Sequence, residues 1–265
     1  MIGIHIQGRL GNQMFQYAFI ISAGLKLQTR CFLSFYHHPL DLHKYFDMPH
    51  FNPLRNRIIN FMYKKRLIKL EKASEQRELL PHGNLELLTD KKIYYGFYQS
   101  LVYFQSNIDF IKSAFKIKSH YQQLFNERLQ ETGLAKEKIV CIHVRRDDYP
   151  ESMVLLNDYY KKAIECLGDI QNYRILLVGF RSKEYLKDFD FIPNLELFSD
   201  SIMNDFQMIM EADIAIISNS SFAWWAAFLG EKKQKKIIAP KYWFGFHDKI
   251  ENPIGISSNL NWNWL

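Results

Sequence analysis

No apolar run in this chain of 265 residues is long enough to span a bilayer, so a helical membrane protein is not expected. The start, MIGIHIQGRLGNQ, has no basic leader, no long apolar stretch and no small-residue cleavage site, so no signal peptide is expected. Cysteine is scarce. Cys31, Cys141 and Cys166 are odd in number and widely spaced, and none forms a CxxC or a metal-ligand pattern. They read as reduced core thiols of a cytoplasmic protein. Internal repeats and low-complexity tracts are absent. The only D-x-D is DFD, Asp188 to Asp190, in a stretch that reads as a surface loop, so no metal site is expected. Two nucleotide fingerprints are also missing. After Gly8 the spacing is G-x-x-G with no third glycine in register and no acidic residue about 20 positions on. No GK[ST] follows, which excludes a P-loop.

What is present is apolar: 48% hydrophobic and 15% aromatic residues exclude wholesale disorder. The formal charge of +6 permits an acidic partner without naming it. Basic residues concentrate in RNRIINFMYKKRLIKLEK, Arg55 to Lys72, where they alternate with apolar ones at roughly helical spacing. Two readings stand: an ordinary amphipathic helix with a solvated basic face, or a helix lying on a membrane surface. Nucleic acid is not expected, because the basic residues do not form a stacking surface with aromatics.

The order of elements argues for an α/β fold. IGIHIQ reads as a strand closed by Gly8. A helix follows from Gly11 with its apolar stripe at Phe15, Ala18, Phe19, Ser22 and Leu25, and RCFLSFY reads as a second strand. This is a βαβ unit, which implies a parallel sheet. KIYYGFY adds a strand and a helical stretch runs to about Gln130. The polar segment Gln130 to Lys138 reads as a linker. After it, KIVCIHV, YRILLVGF, DIAIIS and KKIIAP read as strands alternating with helices, with the near-continuous apolar runs of strands covered on both faces. The expected architecture is two Rossmann-like domains facing a cleft, residues 1–130 and 131–265, the second binding the ligand beyond its strand carboxyl ends.

That rule gives meaning to CIHVRRDDY, Cys141 to Tyr149, where four charges follow a buried strand. His143, Arg145, Arg146, Asp147 and Asp148 stand at a carboxyl end. The loop SNSSF, Ser218 to Phe222, follows another strand and opens a helix at the same sheet edge. Ser220 or Ser221 suits an N-cap, and the amides of the first turn make a phosphate seat. An arginine facing that seat binds phosphate bidentately at any physiological pH. Gly8 and Gly11 either allow a tight strand-to-helix turn, or Asn12 and Gln13 present neutral hydrogen-bonding groups to a ligand.

HVRRDDY fits an H-x-R-R-x-D motif. With SNSSFAWWAAFL and the N-terminal GRLGNQMFQYA, it makes the chain resemble α-1,2-fucosyltransferases, of a glycosyltransferase-family-11 type from bacteria. The resemblance implies a GT-B fold, GDP-β-L-fucose as donor, inversion at the anomeric carbon, and no metal or other cofactor. It implies that Arg145 holds the donor β-phosphate and that His143 lines the nucleotide pocket. Asp205, eight residues before Asp213, matches the carboxylate that reads guanine through N1–H and the N2 amino group. Ser220, Ser221 and Phe222 match the phosphate-facing turn, and Asn12 and Gln13 the N-terminal loop at the cleft. A galactose 2-hydroxyl on an oligosaccharide or lipid-linked glycan is the implied acceptor.

Several assignments stay open. Asp148, or its neighbour Asp147, is either the general base or the ion-pair partner of Arg145 or Arg146, and Arg146 is expected to brace the loop. Asp205 is either the guanine reader or a helix N-terminal acid. Trp224 and Trp225, adjacent on one helix, are expected in the core. WFGFH (Trp243 to His247) and NWNWL at the C-terminus are better placed to stack on a sugar. His37, His38 and His50 read as loop or surface residues. The competing functions are an α-1,6- or protein O-fucosyltransferase-like enzyme and a non-catalytic nucleotide-sugar binding protein. A cytoplasmic enzyme, peripheral at the inner membrane face through Arg55–Lys72, would fit the absence of an anchor.

Overall fold

The computed structural model of the protein describes residues 1–35, 40–49, 51–75, 87–146, 148–179, 183–230 and 235–265. His37, His38, His50 and Asp147 lie outside them. The chain forms two compact units, Met1–Ile117 with Pro253–Asn259, and Lys118–Asn252 with Leu260–Leu265. The helix α5 (Ser119–Glu131), expected on the first side of a boundary at 130, belongs to the second unit. The Nε2 of Gln207 donates to Tyr121 O at 3.1 Å, and Phe125 packs edge-on against Phe198.

The first unit is built on a parallel four-stranded sheet of order β2-β1-β4-β3, with β1 Ile2–His5, β2 Cys31–Ser34, β3 Glu71–Ser74 and β4 Lys92–Tyr95. Gly8, in the left-handed region at φ +74°, turns the chain from β1 into α1 (Leu10–Lys26). A side chain there would collide with Asn12 as well as strain the backbone. The expected stripe of α1 is buried at Phe15, Ala18, Phe19 and Ser22, while Leu25, in its last turn, is exposed. Short helices α2 (Leu42–Tyr45), α3 (Pro53–Lys64) and α4 (Ile108–Ala114) complete the unit.

The basic stretch departs from expectation. Its helix stops at Lys64, Arg66 takes a left-handed turn at φ 58°, and the chain enters β3. That edge strand, EKAS, buries Ala73 alone and so carries no apolar alternation to read.

The second unit holds a parallel six-stranded sheet, order β10-β9-β8-β5-β6-β7. Its strands are β5 Ile139–His143, β6 Arg174–Val178, β7 Leu195–Leu197, β8 Ile214–Ile216, β9 Lys236–Ala239 and β10 Asn263–Trp264. Every residue of β5 is buried, as a central strand requires. Helices α6 (Asn157–Glu165), α7 (Ile202–Glu211) and α8 (Ser221–Leu229) connect the strands. Trp224 and Trp225 are fully buried, Trp224 stacking on Phe228 at 4.8 Å. Cys31 and Cys141 lie in β2 and β5, but Cys166, past the end of α6, is exposed rather than in the core. Among the described residues no helix is long and apolar enough to cross a membrane.

Candidate functional site

From β5 the chain builds β6 and β7 on one side, then crosses to lay β8 on the other. The order therefore reverses between β5 and β8, and beyond such a point the connecting loops part to leave a crevice. Into it come the loop after β5, with Arg145, Asp148 and Tyr149, and the loop after β8, Ile217 to Ser220. His143, the last residue of β5, links them: its Nδ1 lies 2.9 Å from the Ser218 hydroxyl. The imidazole is buried, and burial first, then the charge of Arg145, lowers its pKa to about 3. It is a neutral hydrogen-bonding group throughout the physiological range.

Arg145 donates from Nε and Nη2 to the two carboxylate oxygens of Asp148, both at 2.6 Å. Its guanidinium also lies 5.2 Å from the ring centroid of Tyr149. The Tyr149 hydroxyl donates to the carbonyl of Asn219 at 3.1 Å, fastening the arginine loop to the serine loop. Phe244 packs edge-on against Tyr149 at 5.7 Å, so one member of WFGFH does reach this edge. Trp243 does not serve a sugar: it is fully buried. Trp262 and Trp264 stack on each other at 5.5 Å, and Trp262 also packs on Trp224. Arg146 braces the loop, as expected. It donates to Asp188 at 2.8 Å and to the Asn157 side chain, over the ring of Phe189. Asp188, one carboxylate of DFD, is thus half of an ion pair. Among the described residues no group of three His, Cys, Asp or Glu side chains is placed to hold a metal ion.

The serine loop is buried and hydrogen-bonded. Ser218, Asn219 and Ser220 are buried, and Asn219 Nδ2 donates to Met153 O at 2.8 Å. Ser220 is the N-cap residue of α8, yet its side chain makes no capping hydrogen bond. The helix opens at Ser221, two residues after Asn219, whose carbonyl accepts from Tyr149 beside Arg145. Phe222, one residue into α8, lies 6.1 Å from the His143 ring and 5.2 Å from Phe206.

Asp205, in the first turn of α7, is mostly buried and accepts from the Ser199 hydroxyl at 2.6 Å. Ser199 in turn accepts from the amide of Gly179 at 3.2 Å. Gly179 ends β6 at φ +102°, and a Cβ there would meet Val144 O at 2.2 Å. Three strand ends are so drawn to one place, through Ser199 and Gly179, which the sequence reading passed over. The glycine closing YRILLVG was the available signal.

Asn12 and Gln13 belong to the first unit. Asn12 Oδ1 accepts from Gln99 Nε2 at 2.7 Å. Gln13 is fully buried, its amide donating to Gly8 O at 3.1 Å and accepting from the Asp41 amide at 2.8 Å. Those bonds shape the turn between β1 and α1. Gln16, one turn along, works the same way, accepting from Gln7 and donating to Gly96 O at 2.8 Å. Glu75, just past β3, accepts from the amides of Phe97 and Tyr98, both at 2.9 Å, and burial raises its pKa.

The chain thus brings His143, Arg145, Asp148, Asp205, Ser220, Ser221 and Phe222 to one edge of one sheet. A model of glycosyl transferase family 11 matches residues 1–262. The chain is 25% identical over 292 residues to the O-antigen biosynthesis glycosyltransferase WbnK of Escherichia coli, covering 92% of this chain and 95% of that protein. It is 26% identical over 275 residues to an α-1,2-colitosyltransferase of the same organism, covering 90% and 91%. Among solved structures it resembles an Arabidopsis thaliana FUT1 mutant in complex with GDP, with a TM-score of 0.55 at 12% identity, covering 90% of this chain and 69% of that one. The fold is therefore α/β of the GT-B type.

Proposed function

We propose that this chain, which belongs to glycosyl transferase family 11, moves L-fucose from GDP-β-L-fucose to the 2-hydroxyl of a galactose in a glycan acceptor, inverting the anomeric carbon without a metal ion. One observation carries the reading. The Arg145 guanidinium rests on Tyr149, whose hydroxyl is bonded to Asn219 O, one residue before the N-cap of α8. A fixed cation and a helix amino end therefore belong to one edge, the arrangement a departing diphosphate requires.

In the reaction the C1–O bond to GDP breaks through an oxocarbenium-like transition state, and negative charge grows on the β-phosphate oxygen. Arg145 and the first-turn amides of α8 stabilise that charge where it develops. Neutral His143 holds Ser218 in place. Asp205 takes the guanine edge through its carboxylate. The Arg145–Asp148 pair gives the base a switch: phosphate binding competes for the guanidinium, and the released Asp148 accepts the acceptor proton.

The similarity to a colitosyltransferase favours a second donor, because colitose is fucose without its 3-hydroxyl. The similarity to WbnK, an O-antigen biosynthesis glycosyltransferase, supports an oligosaccharide or lipid-linked glycan of O-antigen type as acceptor.

Titration calorimetry with GDP and then UDP, both in EDTA, tests the donor site without assuming an acceptor. GDP is expected to bind and UDP not, with Arg145→Ala lowering GDP affinity at least tenfold. Equal binding of both nucleotides, or of neither, would overturn the assignment. Turnover of GDP-fucose against GDP-colitose then separates the two donors. Binding without turnover of either would mark a nucleotide-sugar binding protein.

A further inference from the structure

The helix Pro53–Lys64 turns three large apolar side chains outward. Its inward face carries two buried asparagines beside Ile59. Asn56 accepts from the Leu33 amide at 2.7 Å and donates to Leu33 O at 3.1 Å, while Asn60 donates to the same carbonyl at 3.3 Å. Both asparagines are buried along the edge strand Cys31–Ser34, with Ile59 between them packed on Phe32 and Ile93. Asn52 caps the helix by accepting from Arg55 N at 2.9 Å, and Pro53 follows at its first position.

With that face fixed, the opposite one is set by the helical repeat. Leu54, Ile58 and Phe61, at positions i, i+4 and i+7, share a stripe turned away from the sheet and are 68%, 52% and 57% exposed. Leu67, just past the helix, is 67% exposed. Basic residues border the stripe. Arg57 and Lys64 flank one side, Arg55 the other, and Lys65 continues it at its end, with its ammonium 6.0 Å from the Phe61 ring. From Met48 to Leu70 there are six basic residues, adding Arg66 and Lys69, and no Asp or Glu.

We infer that this face docks the enzyme on an anionic phospholipid bilayer, with Leu54, Ile58, Phe61 and Leu67 entering the acyl boundary and the surrounding cations meeting the headgroup phosphates. A water-facing helix of a soluble domain would place its apolar stripe inward. This one places it outward and rings it with a single sign of charge, which complements an anionic lipid surface on both counts. Long Lys and Arg stems suit that depth, since the charge reaches the headgroups while the stem lies among the chains. The inference stands independently of the donor and acceptor assigned above.

The test is co-sedimentation of the full chain with vesicles of phosphatidylethanolamine and phosphatidylglycerol, and with vesicles of phosphatidylcholine alone. The chain is expected to sediment with the anionic vesicles only and to be partly released at high salt. Arg57→Gln with Lys65→Gln is expected to lower partitioning about thirtyfold, at roughly a decade or less per cation. Phe61→Ser is expected to abolish sedimentation in moderate salt. All three positions are exposed, so unchanged circular dichroism and melting temperature are expected for the variants. Failure of the unmodified chain to bind anionic vesicles overturns the inference, as does unchanged partitioning of folded Phe61→Ser. A dimer in sedimentation velocity that Phe61→Ser dissociates would assign the face to a second copy of the chain and overturn it too.

Discussion

The environment of His143 makes a quantitative prediction. An unperturbed imidazole titrates at 6.5, whereas this one is held at about 3 by burial and by the neighbouring Arg145. Between those values the unfolded chain binds a proton that the folded chain refuses. The contribution to stability is therefore fully present above pH 6.5 and is lost as pH falls toward 3. The slope is about 1.4 kcal/mol per pH unit, so the linkage has cost about 2 kcal/mol by pH 5 and little at pH 7. His143→Gln removes the titration while keeping a polar group for Ser218. All five tryptophans lie in the second unit, so fluorescence-detected urea unfolding reports on the unit that holds His143. The variant is less stable at pH 7 by a constant amount, and the informative quantity is the change in that difference. Wild type should lose about 2 kcal/mol more than the variant between pH 7 and pH 5, other titrating groups cancelling in the comparison. Parallel pH dependences would refute the reasoning, as would a His143 ring resonance that titrates near 6.5.

The same edge gives three shorter predictions. Gly179→Ala adds a methyl 2.2 Å from Val144 O at φ +102°, and should lower stability by about 2 kcal/mol or more and weaken GDP binding; a urea midpoint within error of wild type would contradict the clash. Tyr149→Phe keeps the ring beneath Arg145 but removes the bond to Asn219 O, which is worth about 1 kcal/mol; calorimetry should show several-fold weaker GDP binding, and an unchanged affinity would mean the two loops need no tie. Asp205→Asn should weaken GDP more than inosine diphosphate, whose base lacks the N2 amino group, and equal losses would return Asp205 to a role in holding Ser199.

What could be read in the sequence follows the length and burial of each element. Strands such as β5 announce themselves because a central strand of a parallel sheet is apolar at every position, and the α1 stripe did so by its period. β3, β7 and β10 are short edge strands whose positions are half solvent, so the residues that pair them carry no pattern. The helix Pro53–Lys64 shows a deeper limit. Periodicity reveals that a helix has two faces but not which one the fold takes, and here two buried asparagines reverse the default by bonding to the Leu33 peptide groups. The site divides the same way. Residues that act through a local turn, Arg145 and Ser220 among them, were legible from the rule that strand carboxyl ends gather ligands. Ser199 and Gly179 were not, because each matters only through partners on other strands, and no local pattern encodes which strand will be its neighbour. The same holds for Asp148. The sequence allowed it to be a base or an ion-pair partner; the bidentate bond to Arg145 shows the second, a pairing that depends on how the loop folds back over three residues, and the role of base belongs to the mechanism proposed above.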